Sequence, residues 1–136
     1  MSAEASDKIE PERWNTCLNL LCRPLHDLDA VQRPAALVFH YDGRVQNGGH
    51  SSHFDSEDSA HDDDLIHALR AMGAHGQARV LTEARLLNRE ANETEEDERE
   101  PLWEMIGELD RQYHKARPTI EEVLVKYFHE HRDHFP

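Results

Sequence analysis

The sequence predicts an all-α fold, a single compact domain of about six helices around one core. Apolar residues recur at three- and four-residue spacing along most of the chain, the pattern of helices that bury one face. No run alternates β-branched and polar residues for long enough to make a strand. The chain's 136 residues are the usual size of one domain, so 1–136 is read as one unit with residues 1–8 as a flexible N-terminus.

The elements follow in order. Trp14, Cys17, Leu18, Leu21 and Cys22 repeat at i, i+3, i+4, i+7 and i+8, with Pro11 suited to the opening turn, and the helix is expected to end near Arg23-Pro24. Val31, Ala35, Val38, Asp42 and Val45, flanked by Leu37 and Tyr41, mark a second helix that Pro34 starts or bends and Gly48-Gly49 stops. Leu65, Leu69 and Met72 mark a third, starting among Ser59 to Asp64 and closed by Gly73. Val80, Leu81, Ala84 and Leu87 mark a fourth. Leu102, Met105, Ile106, Leu109 and Tyr113 mark a fifth behind Pro101. Thr119 is placed to cap the last, whose stripe is Ile120, Val123, Leu124, Tyr127 and Phe128. Between the second and third helices, the polar Gly48 to Ser59 stretch is long enough to be a functional loop.

Charge is the most informative feature. Against 15 Lys+Arg stand 28 Asp+Glu, a formal net charge of −13. That balance disfavours direct binding of nucleic acid or of an anionic membrane. Asp55, Glu57, Asp58, Asp62, Asp63 and Asp64 fall in one ten-residue stretch without a Lys or Arg. Glu93, Glu95, Glu96, Asp97, Glu98 and Glu100 form a second, interrupted only by Arg99. One or two acids in a first helical turn offset the helix dipole. Six exceed that need and repel one another, so the surplus destabilises the free protein unless a partner uses it.

No enzyme signature is present, and no cofactor is expected. Cys17 and Cys22 lie on the apolar stripe of one helix and are expected to be two buried, reduced thiols. Asp62-Asp63-Asp64 is expected to be a solvated row, not a pair of carboxylates held in a pocket. Gly48-Gly49 lacks the Lys of a phosphate-binding loop. His50, His53 and Asp55 are the best candidates for a divalent-metal site, but they match no zinc motif of fixed spacing. Met1 to Lys8 lack the basic start and apolar run of a secretory signal, and no segment approaches a membrane span, so a cytoplasmic protein is expected. Trp103, Tyr113, Tyr127 and Phe128 are read first as core and second as a homodimer face.

Three ordered motifs resemble a bacterial domain-of-unknown-function family typified by a DNA mimic protein. Asn47-Gly48-Gly49-His50-Ser51-Ser52-His53-Phe54 is similar to that family's Asn-Gly-Gly-(aromatic)-x-Gln-(aromatic)-(aromatic) loop. Ala68-Leu69-Arg70-Ala71-Met72-Gly73-Ala74 and Leu109-Asp110-x-x-Tyr113 follow it in register, and the likeness runs from about residue 30 to 135. His50, Ser52 and His53 depart from the pattern. Asn47, Gly48, Gly49, Phe54 and Gly73 keep it as structural positions.

The resemblance implies an all-α domain, often self-associating, whose acidic surface imitates duplex phosphates and occupies the basic face of a DNA-binding protein. Charge and resemblance together lead to the expectation of a non-enzymatic interaction protein that blocks a regulator's access to DNA. Its contacts would be Asp55, Glu57, Asp58, Asp62, Asp63 and Asp64, and Glu95, Glu96, Asp97, Glu98 and Glu100. An immunity-type inhibitor of a basic nuclease or toxin is the alternative within the same physics. A divalent-metal-binding helical protein is the second alternative.

Overall fold

The computed structural model describes residues 8–136 and is all-helical, with no strand among the described residues. Six α-helices follow one another: α1 (Pro11–Leu21), α2 (Gln32–Phe54), α3 (Asp62–Ala71), α4 (His75–Glu93), α5 (Glu100–Lys115) and α6 (Ile120–Glu130). Short 3₁₀ turns at Leu25–Asp27, Glu57–His61 and Glu96–Glu98 join three of the pairs. Of the expected flexible terminus, residues 1–7 lie outside the described residues.

The central element is α2, which packs against each of the other five helices. A helix so surrounded must be apolar and narrow on several sides, and Ala35, Ala36, Val38, Tyr41 and Val45 are all buried. Its start is held by Asp29, whose carboxylate accepts from the backbone N–H groups of Val31 and Gln32, while the Gln32 side chain accepts from the Asp29 N–H. The start of α6 is a capping box: the Thr119 hydroxyl accepts from the Glu122 N–H, and the Glu122 carboxylate accepts from the Thr119 N–H. Tyr127 donates to the Val31 carbonyl at 2.6 Å, and Gln32 to the His134 carbonyl at 2.8 Å, so the C-terminal segment closes over the start of α2.

Two glycines carry backbone that other residues resist. Gly73 (φ +88°) ends α3: its N–H donates to the Arg70 carbonyl and that of Ala74 to the Leu69 carbonyl, a Schellman closure over buried Leu69 and Ala74. The tight turn folds α4 back along α3. Gly49 (φ +71°, ψ −172°) lies in a region open essentially to glycine alone, and a Cβ there would collide with the Asp110 carboxylate.

Three expectations change. Gly48-Gly49 kinks α2 instead of ending it, and helix resumes through Phe54, so the expected Gly48 to Ser59 loop is mostly helical. The cause is the kink itself, which turns His50 and His53 into the core, where an extended loop would have left them in water. Cys22, at the C-cap of α1, is exposed, whereas Cys17 is buried and its thiol is pushed up by desolvation against the opposing pull of Arg13. Met105 points outward, because α5 buries only the side carrying Ile106, Leu109 and Tyr113.

Candidate functional site

Beneath the surface, the kink at Gly49 assembles a polar network inside an aromatic cage. His50 and His53 are both fully buried. The backbone N–H of His50 donates to Asp110 Oδ1 at 2.9 Å, and its ring Nδ1–H donates to the same oxygen at 2.6 Å. With Nδ1 so engaged, Nε2 accepts from the Tyr41 hydroxyl at 2.6 Å. His53 Nε2–H donates to Asp62 at 2.6 Å, and Tyr113 donates its hydroxyl to Asp42. Tyr41 stands edge-on to His50, His53 and Tyr113 at centroid distances of 5.0–5.6 Å. The network therefore ties α2 to α3 through Asp62 and to α5 through Asp110 and Tyr113.

Its electrostatics act on the two phenols and on Asp110. Burial, reinforced by Asp62, Asp110 and Asp42, keeps the Tyr41 phenol protonated far above its ordinary range. Burial does the same for Tyr113, helped by Tyr41 and Asp42. For Asp110, burial pushes the carboxyl up. The two hydrogen bonds from His50, with attraction to His50 and His114, outweigh it and leave the group below the usual carboxylate range. Tyr41–His50–Asp110 has the connectivity of a hydroxyl–imidazole–carboxylate triad. However, the Tyr41 hydroxyl is sealed in the core and neither it nor His50 lines any of the molecule's main pockets. The arrangement cross-links α2 to α5, with its hydroxyl and imidazole enclosed in the core.

The metal candidates separate for the same reason. His50 and His53 turn inward to different carboxylates, and Asp55 is exposed. Among the described residues no group of three His, Cys, Asp or Glu side chains is arranged to hold an ion.

The surface acids divide into two unequal sets. In the first, Asp62 is buried against His53 and is withdrawn from any surface array, contrary to the expected solvated row. Asp63 accepts from Arg85 at 2.7 Å, which, with Arg89 nearby, holds its carboxyl below the usual range. Asp58 faces Arg44 at 3.5 Å. Asp55, Glu57 and Asp64 are exposed and have no basic partner among the described residues.

The second set is uncompensated. Glu95, Glu96, Asp97, Glu98 and Glu100 crown the turn between α4 and α5, all exposed, and none forms an ion pair among the described residues. Arg99, the one cation within the segment, donates to the Thr94 carbonyl at 2.8 Å and forms no ion pair with these acids, so five carboxylates face a single positive charge. The set also sits at the N-terminus of the 16-residue α5, whose dipole favours negative charge there.

The two sets are linked along α4. Because α3 folds back on α4 at Gly73, Asp63 meets Arg85, and α4 then continues eight residues to Glu93, about 12 Å of helix. The turn that carries the second set thus begins about 12 Å of helix beyond the Asp63–Arg85 contact, with Arg89 on the way.

A family model described as DMP19-like protein matches residues 26–131. The chain belongs to the DMP19-like family. The match covers most of the chain and contains all three motifs read from the sequence. Neither the curated proteins nor the solved structures gave a match.

Within a DMP19-like protein, the departures at His50 and His53 have a physical reading. Both imidazoles occupy ring-shaped core positions among Tyr41, Phe54 and Tyr113, so each keeps the packing of an aromatic. Each adds a polar demand: Asp110 meets Nδ1 of His50 and Asp62 meets Nε2 of His53, while the buried Nδ1 of His53 has no hydrogen-bond partner among the described residues. Ser52, the third departure, is only half-buried and takes no part in this network. Sequence reasoning missed the roles of Asp110, Asp42 and Tyr41. The available signal was an acid inside an apolar periodicity, as at Asp42, and the Leu109-Asp110-x-x-Tyr113 motif, which supplies two of the network's groups.

Proposed function

We propose that this DMP19-like protein acts by binding, without catalysis, the basic surface of a DNA-binding regulator, where its acidic tip takes the place of duplex phosphates. The observation that carries the reading is the uncompensated run Glu95, Glu96, Asp97, Glu98 and Glu100 on a folded turn. Each DNA strand offers one phosphate per ~3.4 Å, and 3₁₀ backbone advances ~2 Å per residue, so the tip reaches a comparable linear charge density. Asp55, Glu57 and Asp64, exposed and without a basic partner among the described residues, add to the negative field. A fixed scaffold lowers the ordering cost that a disordered acidic tail would meet on binding. Among the described residues no helix is long and apolar enough to cross a membrane, and a cytoplasmic setting, where regulators meet DNA, goes with this reading.

The test is retention of native-lysate proteins on the immobilised untagged chain between about 50 and 200 mM salt, the range over which phosphate-type contacts weaken steeply. The expected result is a basic DNA-binding protein that is held at low salt and displaced by duplex DNA. It should be lost from an E95Q/E96Q/D97N/E98Q variant. A retained nuclease that behaves the same way would assign the surface to immunity-type inhibition. Retention indifferent to salt, to DNA and to the four substitutions would refute the reading.

A further inference from the structure

Among the described residues, Leu86, Trp103 and Met105 are the large apolar side chains left exposed, and two of them share one groove. Leu86, 59% exposed, and Met105, 53% exposed, line a depression of about 450 Å³ along the outer seam of α4 and α5, floored by Leu87 and Leu109. On its flanks, Glu83 is paired with Arg79 and Glu108 with Arg111, so the groove walls are locally neutral. One end differs. Followed along α4, the seam passes Glu90 and, about 10 Å of helix beyond Leu86, ends at Glu93, where the turn carrying the unpaired Glu95 to Glu98 begins.

An apolar trough with neutral walls and one strongly acidic end complements an amphipathic helix that is apolar along one stripe and cationic at one end. We infer that the α4–α5 groove docks such a helix from the basic partner, its apolar stripe on Leu86 and Met105 and its Lys/Arg end on the acidic tip. This rests on the reading of the tip as a protein-binding surface and adds to it the kind of element bound. The spacing sets the ligand's design: its cations lie two to three turns from its apolar anchors. Charge at the tip sets encounter rate and salt dependence, while the groove sets preference among basic partners.

The test uses the full chain and two synthetic peptides of about 18 residues, long enough to form helix. One carries a Leu stripe at i, i+3, i+4 and i+7 with four Lys at one end. The other has the same composition and Lys end with the stripe scrambled. Fluorescence anisotropy is expected to show the striped peptide bound about tenfold tighter or more, as burial of two such side chains allows. The L86S/M105S variant, changed only at exposed positions, should bring the striped peptide down to the affinity of the scrambled one, yet keep its melting temperature and the salt dependence of binding for both peptides. The E95Q/E96Q/D97N/E98Q variant should weaken both peptides alike.

If the tip variant weakens both peptides while the groove variant leaves the preference intact, the groove inference falls and the acidic reading stands. If the tip variant changes neither affinity, the acidic reading itself falls. Light scattering that finds a dimer dissolved by L86S/M105S would assign the groove to a second copy of the chain and overturn the inference.

Discussion

Replacing His50 by Phe tests whether the buried network is a stabilising cross-link or merely tolerated. The substitution keeps an aromatic ring in the cage of Tyr41, Phe54 and Tyr113 but removes both ring nitrogens. Two groups lose a partner. The Tyr41 hydroxyl, fully buried, becomes an orphan, at about 1–3 kcal/mol. Asp110 loses a charge-assisted bond of about 1.5–3 kcal/mol, softened because its side chain is 27% exposed and water can replace part of it. The more apolar ring returns about 1 kcal/mol, leaving a net cost near 2–3 kcal/mol. For a domain of this size that lowers the melting temperature by roughly 10 °C.

A double-mutant cycle isolates the mechanism. Tyr41→Phe alone strands His50 Nε2 in the core, whereas Tyr41→Phe with His50→Phe removes both partners together, a change that can be nearly neutral for the pair. The double variant should therefore be about 1–2 kcal/mol more stable than the summed single effects, read by denaturant unfolding. Additive effects, or a single His50→Phe variant as stable as the parent, would refute the assignment of a stabilising bond between Tyr41 and His50.

Other expectations follow from the same geometry. Asp110 has a carboxyl held below its unfolded value, so its contribution is fully present above about pH 4 and is lost as pH falls through the folded pKa. The stability gap between parent and Asp110→Asn, measured by urea unfolding across pH, should narrow below about pH 4; a gap that widened on acidification would contradict the sign. Gly73→Ala meets open space and should cost only the left-handed backbone term, about 1–2 kcal/mol, whereas Gly49→Ala adds a collision with Asp110 and should cost about 3 kcal/mol or more. Thermal melts giving the reverse order would overturn the role given to Gly49.

The sequence by itself determined the helices, because their signals are local. The i, i+3, i+4 spacing located all six, Gly73 marked the end of α3, and Thr119 marked the start of α6. Composition also determined that the charge would be concentrated in two short segments. The same local reasoning misjudged Gly48 to Ser59, since a Gly-Gly pair followed by His and Ser reads as a loop until Asp110 and Asp62 arrive from other helices.

Which charges remain available was decided only by tertiary structure. Asp62, Asp63 and Asp64 are adjacent in sequence, yet one is buried on His53, one is paired with Arg85 and one is exposed without a basic partner among the described residues. Glu95 to Glu100 looked like an equivalent cluster, yet none of its five exposed acids forms an ion pair among the described residues, and Arg99 donates to the Thr94 carbonyl. Helix formation depends on neighbours three and four residues away, which the sequence displays directly. Charge compensation depends on partners dozens of residues away, such as Arg85 for Asp63 and Asp110 for His50, and only the packing of α2, α3, α4 and α5 brings them within reach.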